Sequence, residues 1–208
     1  AGNSDLNSIH IRKALPETEE DAISFIFLTG KKDTAMYMDY VNRFIQLHPA
    51  NTTGYTLKAE QEAELGQYAQ AAATYETALK QEGTKADELH YSWSKVIYNL
   101  SMHPDYKQYD NWNLERALSE AQQAAAITPL PTYTMQQANC LYALKKYNEA
   151  GDKFLELTKT NMRTPQLFMY AAQCRQKSQA DTAQVIALMD SALNCYSKPY
   201  PVAAANII

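Results

Sequence analysis

One stretch of the sequence recurs at a fixed interval, and this recurrence limits the folds open to the chain. Residues 131–157 read PTYTMQQANCLYALKKYNEAGDKFLEL, and four of their positions are matched 34 residues later. The matching pairs are Pro131 and Pro165, Met135 and Met169, Ala138 and Ala172, and Cys140 and Cys174. Proline suits the first position of a helix, and a small residue midway along a helix allows close packing. The recurrence therefore predicts a row of similar helical units.

A second amphipathic helix follows the first one in the unit. Its apolar residues are spaced by three, four and three positions, which places them on one helix face. They are Tyr147, Ala150, Phe154 and Leu157, and the same face recurs as Tyr68, Ala71, Tyr75 and Ala78 and as Ala117, Ala121 and Ala124. Each unit is thus predicted to be a hairpin of two helices.

This combination resembles the tetratricopeptide repeat (TPR) family, whose unit is a helix-turn-helix hairpin of 34 residues. The small contact residue of the family's first helix is present as Ala59, Ala138 and Ala172. The position of a later aromatic residue is filled less regularly, because Glu62 and Arg175 replace it in two units. Looser packing is therefore expected at those turns.

The resemblance implies an all-α fold, a right-handed α-solenoid of about four to five TPR-like helical hairpins. We expect one domain over residues 1–208, which is either complete or a fragment of a longer array. The expected hairpins span residues 18–48, 52–82, 86–128, 131–161 and 165–197, the third with an insert at 102–113. Composition agrees, since only 6 Gly and 8 Pro leave few turn residues for an all-β fold.

Charge and motifs exclude several function classes. A net charge of -4 argues against a nucleic-acid-binding surface. The sequence contains no run of 18 apolar residues, so no membrane span is predicted. The four histidines are scattered singly at His10, His48, His90 and His103, without an HExxH motif. We therefore expect no enzyme activity, no catalytic residues, no bound metal and no cofactor.

The three cysteines, Cys140, Cys174 and Cys195, are odd in number and form no CxxC motif. The first two occupy equivalent small positions of the repeated helix, which favours packed thiols. A metal site or a disulfide is the alternative.

The resemblance also implies a binding surface, because in that family the first helix of each hairpin lines a concave groove that holds a peptide. Carried over to this chain, the partner-binding residues are Glu60, Met135, Asn139, Tyr142, Met169, Gln173 and Lys177. Met135 and Gln166 stand where basic residues would clamp a terminal carboxylate, so recognition of such a group is not expected. Methionine, tyrosine and amide side chains suit an adaptable peptide groove. In the alternative interpretation these positions are only solvated.

The insert at residues 102–113 is a second candidate surface. Tyr106, Tyr109 and Trp112 are spaced by three residues, and aromatic side chains are enriched at protein interfaces. In the alternative interpretation these aromatics fold back onto the helices.

These observations predict a protein–protein interaction module or scaffold whose partner is a protein or a peptide. Two alternatives stay open: a structural segment of a longer helical-repeat protein without a ligand of its own, and an envelope protein that binds a small molecule or carbohydrate. The chain finishes on apolar Ile207 and Ile208, so self-association through the terminal repeat is a further expectation. The compartment is open: cytoplasmic, or periplasmic or exported if a leader was removed.

Overall fold

The computed structural model describes residues 14–30, 33–104, 106 and 111–197, and the structural statements below refer to this part of the chain. It contains ten α-helices and no β-strand. The helices are α1 (Glu19–Thr29), α2 (Thr34–Leu47), α3 (Thr52–Glu64), α4 (Tyr68–Lys80), α5 (Ala86–Ser101), α6 (Leu114–Ile127), α7 (Pro131–Ala143), α8 (Tyr147–Leu157), α9 (Pro165–Lys177) and α10 (Thr182–Ser197). The all-α prediction is confirmed.

The helices group into two compact units that divide between Lys85 and Ala86, and each unit is described by itself. The first unit holds the hairpins α1–α2 and α3–α4, and the second holds α5–α6, α7–α8 and α9–α10. Each hairpin range of the sequence analysis contains two of these helices. The single domain over residues 1–208 stays a prediction.

Local capping explains where several helices begin. The side chains of Thr18, Asp33, Asn51 and Asn113 each accept a hydrogen bond from a backbone amide in the first turn of the following helix. These bonds satisfy amides that have no partner within the helix. Helices α7 and α9 instead begin with proline, whose missing N–H costs nothing at that position.

The first unit has a core of apolar residues from its first three helices. Its members are Ala22, Ile26, Tyr37, Tyr40, Val41, Phe44 and Leu57. Helix α3 lies very close to α2, because a Cβ added at Gly54 would lie 2.9 Å from Cδ1 of Phe44. A residue without a side chain is therefore needed at this crossing.

The two irregular positions of the repeat carry polar side chains that make contacts between helices, and the looser packing expected there stays a prediction. Glu62 is buried, and its Oε2 accepts a hydrogen bond of 2.7 Å from the hydroxyl of Thr74. In the second unit, Nη2 of Arg175 lies 2.5 Å from Oδ1 of Asp152, which joins α9 to α8. Polar contacts between helices replace the expected aromatic ring.

Small residues set the helix crossings of the second unit. Ala138 and Ala172 are fully buried, and a Cβ added at Gly151 of α8 would lie 3.2 Å from Cβ of Cys174 on α9. Between α7 and α5, Nε2 of Gln136 donates a 3.1 Å hydrogen bond to the hydroxyl of Ser94. Consecutive hairpins thus touch through short side chains and a buried amide.

A buried carboxylate joins the two helices of the third hairpin. Glu120 of α6 is fully buried, with Oε2 at 2.5 Å from Nδ1 of His90 and Oε1 at 2.5 Å from Nε of Arg116. The Arg116 guanidinium also lies 4.3 Å from the ring centroid of Trp93. A charge in this position is tolerated only because it has cationic and hydrogen-bonding partners.

Replacing this carboxylate tests its contribution to stability. We expect Glu120→Gln to lower the free energy of unfolding by about 2 kcal/mol, less than for a fully enclosed pair, because the Arg116 side chain is one-third exposed. Urea unfolding followed by circular dichroism measures the change. The matched variant Glu115→Gln, at an exposed position of the same helix, should change it by less than about 0.5 kcal/mol. Equal effects of the two variants would contradict the assignment.

Candidate functional site

Three helices of the second unit, α5, α7 and α9, are the first helices of their hairpins and lie in succession. Gln136 of α7 is bonded to Ser94 of α5, and Nζ of Lys177 on α9 lies 5.5 Å from the ring centroid of Tyr142 on α7. Burial raises the pKa of Tyr98 on α5, and the nearby Cys140 and Tyr170 raise it further. We call the partly exposed surface of these three helices the A-face.

The A-face contains six of the seven predicted groove residues. Met135, Asn139, Tyr142 and Met169 are half-buried, whereas Gln173 and Lys177 are exposed. They come from α7 and α9, the first helices of two hairpins, on which the resemblance to the TPR family implied a groove. The half-buried residues form the floor of a surface that is neither core nor fully solvated.

Lys177 does not extend freely into solvent. Its ammonium nitrogen lies 5.5 Å from the ring centroid of Tyr142 and 5.3 Å from that of Tyr147, and the two rings meet edge to face at 5.4 Å. A cavity of about 380 Å³ adjoins this group and is also lined by Lys145 and Lys146. The lining also includes Glu149, so three lysines face one carboxylate at this end of the A-face, and the excess of positive charge favours an acidic group of a ligand.

The seventh predicted groove residue, Glu60, lies in the first unit on α3 and is not part of the A-face. Its neighbourhood is acidic. Burial raises the pKa of Tyr37 to about 12, and the carboxylates of Glu60 and Glu64 contribute to the increase. Elsewhere in the first unit a cavity of about 650 Å³ is lined by residues of α2, α3 and α4, including Tyr55 and Glu62.

The aromatic residues of the insert do not form one exposed surface. Trp112 is only 1% exposed, and the hydroxyl of Tyr106 donates a hydrogen bond to the backbone carbonyl of Trp112. Tyr109 lies outside the described residues. The assignment of Trp112 to a partner-binding loop is therefore corrected: its indole packs inside the protein, as in the alternative interpretation.

Two cysteines are buried thiols, as predicted for packed residues. Cys140 and Cys174 are fully buried, and all three cysteines are free. Burial raises the pKa of both thiols to about 11, and the hydrogen bonds that Cys140 makes with Ser94 and Gln136 only partly oppose the increase. In the described part of the chain, no group of three or more His, Cys, Asp or Glu residues is arranged to hold a metal ion.

Sequence reasoning missed the contribution of α5 to the A-face. Tyr91 is half-buried, with its ring centroid 5.0 Å from that of Tyr133, and Tyr98 is half-buried at the other end of the helix. The register of α5 could not be assigned because the insert interrupts the repeat. The register of α5 could have been assigned from Ser94, a small residue that packs against α7. It occupies the position that alanine fills in other units.

No protein-family model matches the chain, and no curated protein matches it. Solved structures do match. The crystal structure of MamA protein has a TM-score of 0.63 at 11% identity, covering 88% of this chain and 93% of that chain. YrrB, described as a TPR protein with an unusual peptide-binding site, has a TM-score of 0.58 at 17% identity, covering 88% of each chain. TTC0263, a thermophilic TPR protein in Thermus thermophilus, has a TM-score of 0.53 at 16% identity and covers 88% of this chain and 93% of that chain.

These identities are low, so the likeness shows the fold alone. The chain has the TPR fold, and the predicted α-solenoid of TPR-like hairpins is confirmed. None of the described helices combines the length and apolar character needed to cross a bilayer.

Thiol reactivity tests the environments of the cysteines. Because burial raises the pKa of Cys140 and Cys174, they should react slowly with a thiol reagent at pH 8, while the half-buried Cys195 reacts at once. Titration of the native protein with a chromogenic disulfide should give one fast thiol, and the unfolded protein should give all three. The variant Cys195→Ser should lose only the fast phase. Rapid modification of two thiols in that variant would contradict the structure.

Proposed function

We propose that the chain is a protein–protein interaction module whose A-face binds a peptide segment of a partner protein. The observation that carries this proposal is the row of half-buried side chains Met135, Asn139, Tyr142 and Met169 on successive first helices. Methionine and tyrosine are enriched where proteins meet, and methionine adapts its shape to different ligands. Such residues would not be needed on a surface that is only solvated.

The polar side chains of the A-face suit a peptide backbone. Asn139 and Gln173 each offer an amide that both donates and accepts hydrogen bonds, which matches the N–H and C=O groups of a peptide. Lys177, beside Tyr142, would receive an acidic side chain at one end of the segment. We therefore propose a peptide with apolar side chains along its length and a carboxylate at the end near Lys177.

The titratable groups support binding over catalysis. Cys140 and Cys174 are protonated at neutral pH because burial raises their pKa to about 11, so neither is an activated nucleophile. Glu120 is buried inside the third hairpin, where its carboxylate is occupied by contacts with His90 and Arg116. YrrB, a TPR protein with an unusual peptide-binding site, has the same fold, which also favours this proposal.

Glu60 remains a predicted partner contact of the first unit. Its position beside Glu64 favours a basic group, in contrast to the lysines near the A-face. The two surfaces are proposed separately, and the experiment below addresses the A-face alone.

A random peptide display library tests the proposal directly. Peptides selected on the whole chain should bind with an affinity that Met135→Glu weakens at least about tenfold, because a carboxylate cannot be buried against apolar side chains without cost. Fluorescence anisotropy with the selected, labelled peptides gives the dissociation constants. Thermal unfolding should be measured for each variant to verify its fold.

The matched control is Leu65→Glu, which places a carboxylate at an apolar residue that is 47% exposed and lies in the first unit, outside the A-face. It should leave the dissociation constant unchanged within about twofold. If the selected peptides bind both variants equally, the A-face is not the binding surface. If repeated selections yield no specific peptide, the proposed peptide-binding function is wrong.

A further inference from the structure

The cavity of the first unit is large enough for a small molecule. Its volume of about 650 Å³ falls within the range of about 300–1,000 Å³ that is typical of ligand sites. Helix α3 contributes Tyr55, Lys58 and Glu62 to its lining, and residues of α2 and α4 complete it. The cavity belongs to one compact unit and shares no residue with the A-face.

A buried hydroxyl group lines this cavity without a protein partner. Tyr55 is only 6% exposed, and its hydroxyl makes no hydrogen bond with any residue in the described part of the chain. Burial raises the pKa of Tyr55, so the hydroxyl keeps its proton at neutral pH and can both donate and accept a hydrogen bond. Buried polar groups are normally paired, so this hydroxyl points to a ligand in the cavity.

A buried carboxylate in the same lining is only half satisfied. Glu62 is 6% exposed, and its Oε2 accepts a 2.7 Å hydrogen bond from the hydroxyl of Thr74. Its Oε1 lies 3.9 Å from Nζ of Lys58, which is an ion-pair distance but is too long for a hydrogen bond. Oε1 can therefore accept a hydrogen bond from a donor group of a ligand.

The charges of the lining balance each other. Among the described residues that line the cavity, the charged ones are Lys58 and Glu62, which have opposite signs. The lining thus has no excess charge to attract a cation or an anion. Three side-chain amides, those of Asn42, Gln46 and Gln70, add further donors and acceptors. A suitable ligand is neutral and carries groups that both donate and accept hydrogen bonds.

We infer that this cavity binds a neutral sugar of one or two rings. Every sugar hydroxyl both donates and accepts, so one can pair with the hydroxyl of Tyr55 while another donates to Oε1 of Glu62. A peptide segment suits the lining less well, because only two aliphatic side chains, Ile45 and Ala73, are there to receive its side chains. The inference is independent of peptide binding at the A-face.

Saturation-transfer difference NMR on the whole chain tests the inference. The probes are glucose, galactose, mannose, N-acetylglucosamine and the β-linked disaccharides of each. At least one of them should receive saturation from the protein, with a dissociation constant on the order of 1 mM, because a ligand of so few atoms binds weakly. Cationic glucosamine and anionic glucuronate should bind no more tightly than the neutral sugars.

Two variants test the buried contacts. Tyr55→Phe removes only the hydroxyl, and Glu62→Gln replaces the carboxylate with an amide of the same shape. Each should weaken sugar binding at least about tenfold, because a buried partner of the sugar is lost or weakened. Tyr55→Phe should not lower the thermal unfolding temperature, since the hydroxyl has no partner in the protein. The matched controls are Tyr37→Phe, at a buried tyrosine of the same unit, and Glu64→Gln, at an exposed position of α3.

Neither control residue lines the cavity, so both controls should keep the dissociation constant within about twofold. If no probe receives saturation at about 20 mM, the cavity holds only water and the inference is overturned. Sugar binding that survives both Tyr55→Phe and Glu62→Gln would lie elsewhere and would also overturn it. A preference for a charged probe would contradict the neutral class, and a selected peptide displaced by Tyr55→Phe would make the cavity a peptide site instead.

Discussion

The structure depends on the close approach of consecutive hairpins at positions that carry almost no side chain. A hairpin of two helices cannot bury its apolar faces alone, so it needs a neighbour within direct contact distance. Ala138 and Ala172 are fully buried, and at Gly151 even a methyl group would come within 3.2 Å of Cys174. Larger residues at these positions would separate the helices and expose the core of two hairpins.

This packing also explains the surface that is left for binding. When the small residues of α7 and α9 face the interior, the residues one position further round the helix are turned partly outward. Met135, Asn139, Tyr142 and Met169 lie there, half-buried between core and solvent. The A-face is therefore a consequence of the repeat, while its chemistry is set by the side chains that this chain carries.

Much of the fold could be predicted from local signals. Pro131 and Pro165 marked helix starts, and the apolar spacing of Tyr147 to Leu157 marked the second helix of the unit. Contacts between distant residues could not be predicted in the same way. His90 and Glu120 meet across 30 residues of sequence, and neither residue type in isolation indicates a partner.

The candidate site was predictable only where the repeat is regular. The six A-face residues on α7 and α9 were implied by the resemblance to the TPR family, which is clear in these two units, but Tyr91 and Tyr98 were not, because the insert obscures the register of α5. Trp112 was misplaced for a related reason: its spacing from Tyr106 and Tyr109 is equally compatible with an exposed loop and with a folded one. Burial decides between the two, and it depends on the packing of the whole unit.

The unfolding free energy of Ala138→Leu tests the role of the small residues most directly. Alanine and leucine have nearly equal helix propensity, so the change reports on packing at the crossing and not on the helix itself. We expect a loss of about 2 kcal/mol or more in urea unfolding, because the larger side chain has no space at a fully buried position. Ala126→Leu, at an exposed site of the same unit, should be close to neutral. An equally small effect at Ala138 would show that the hairpins do not depend on this close approach, and it would contradict the account.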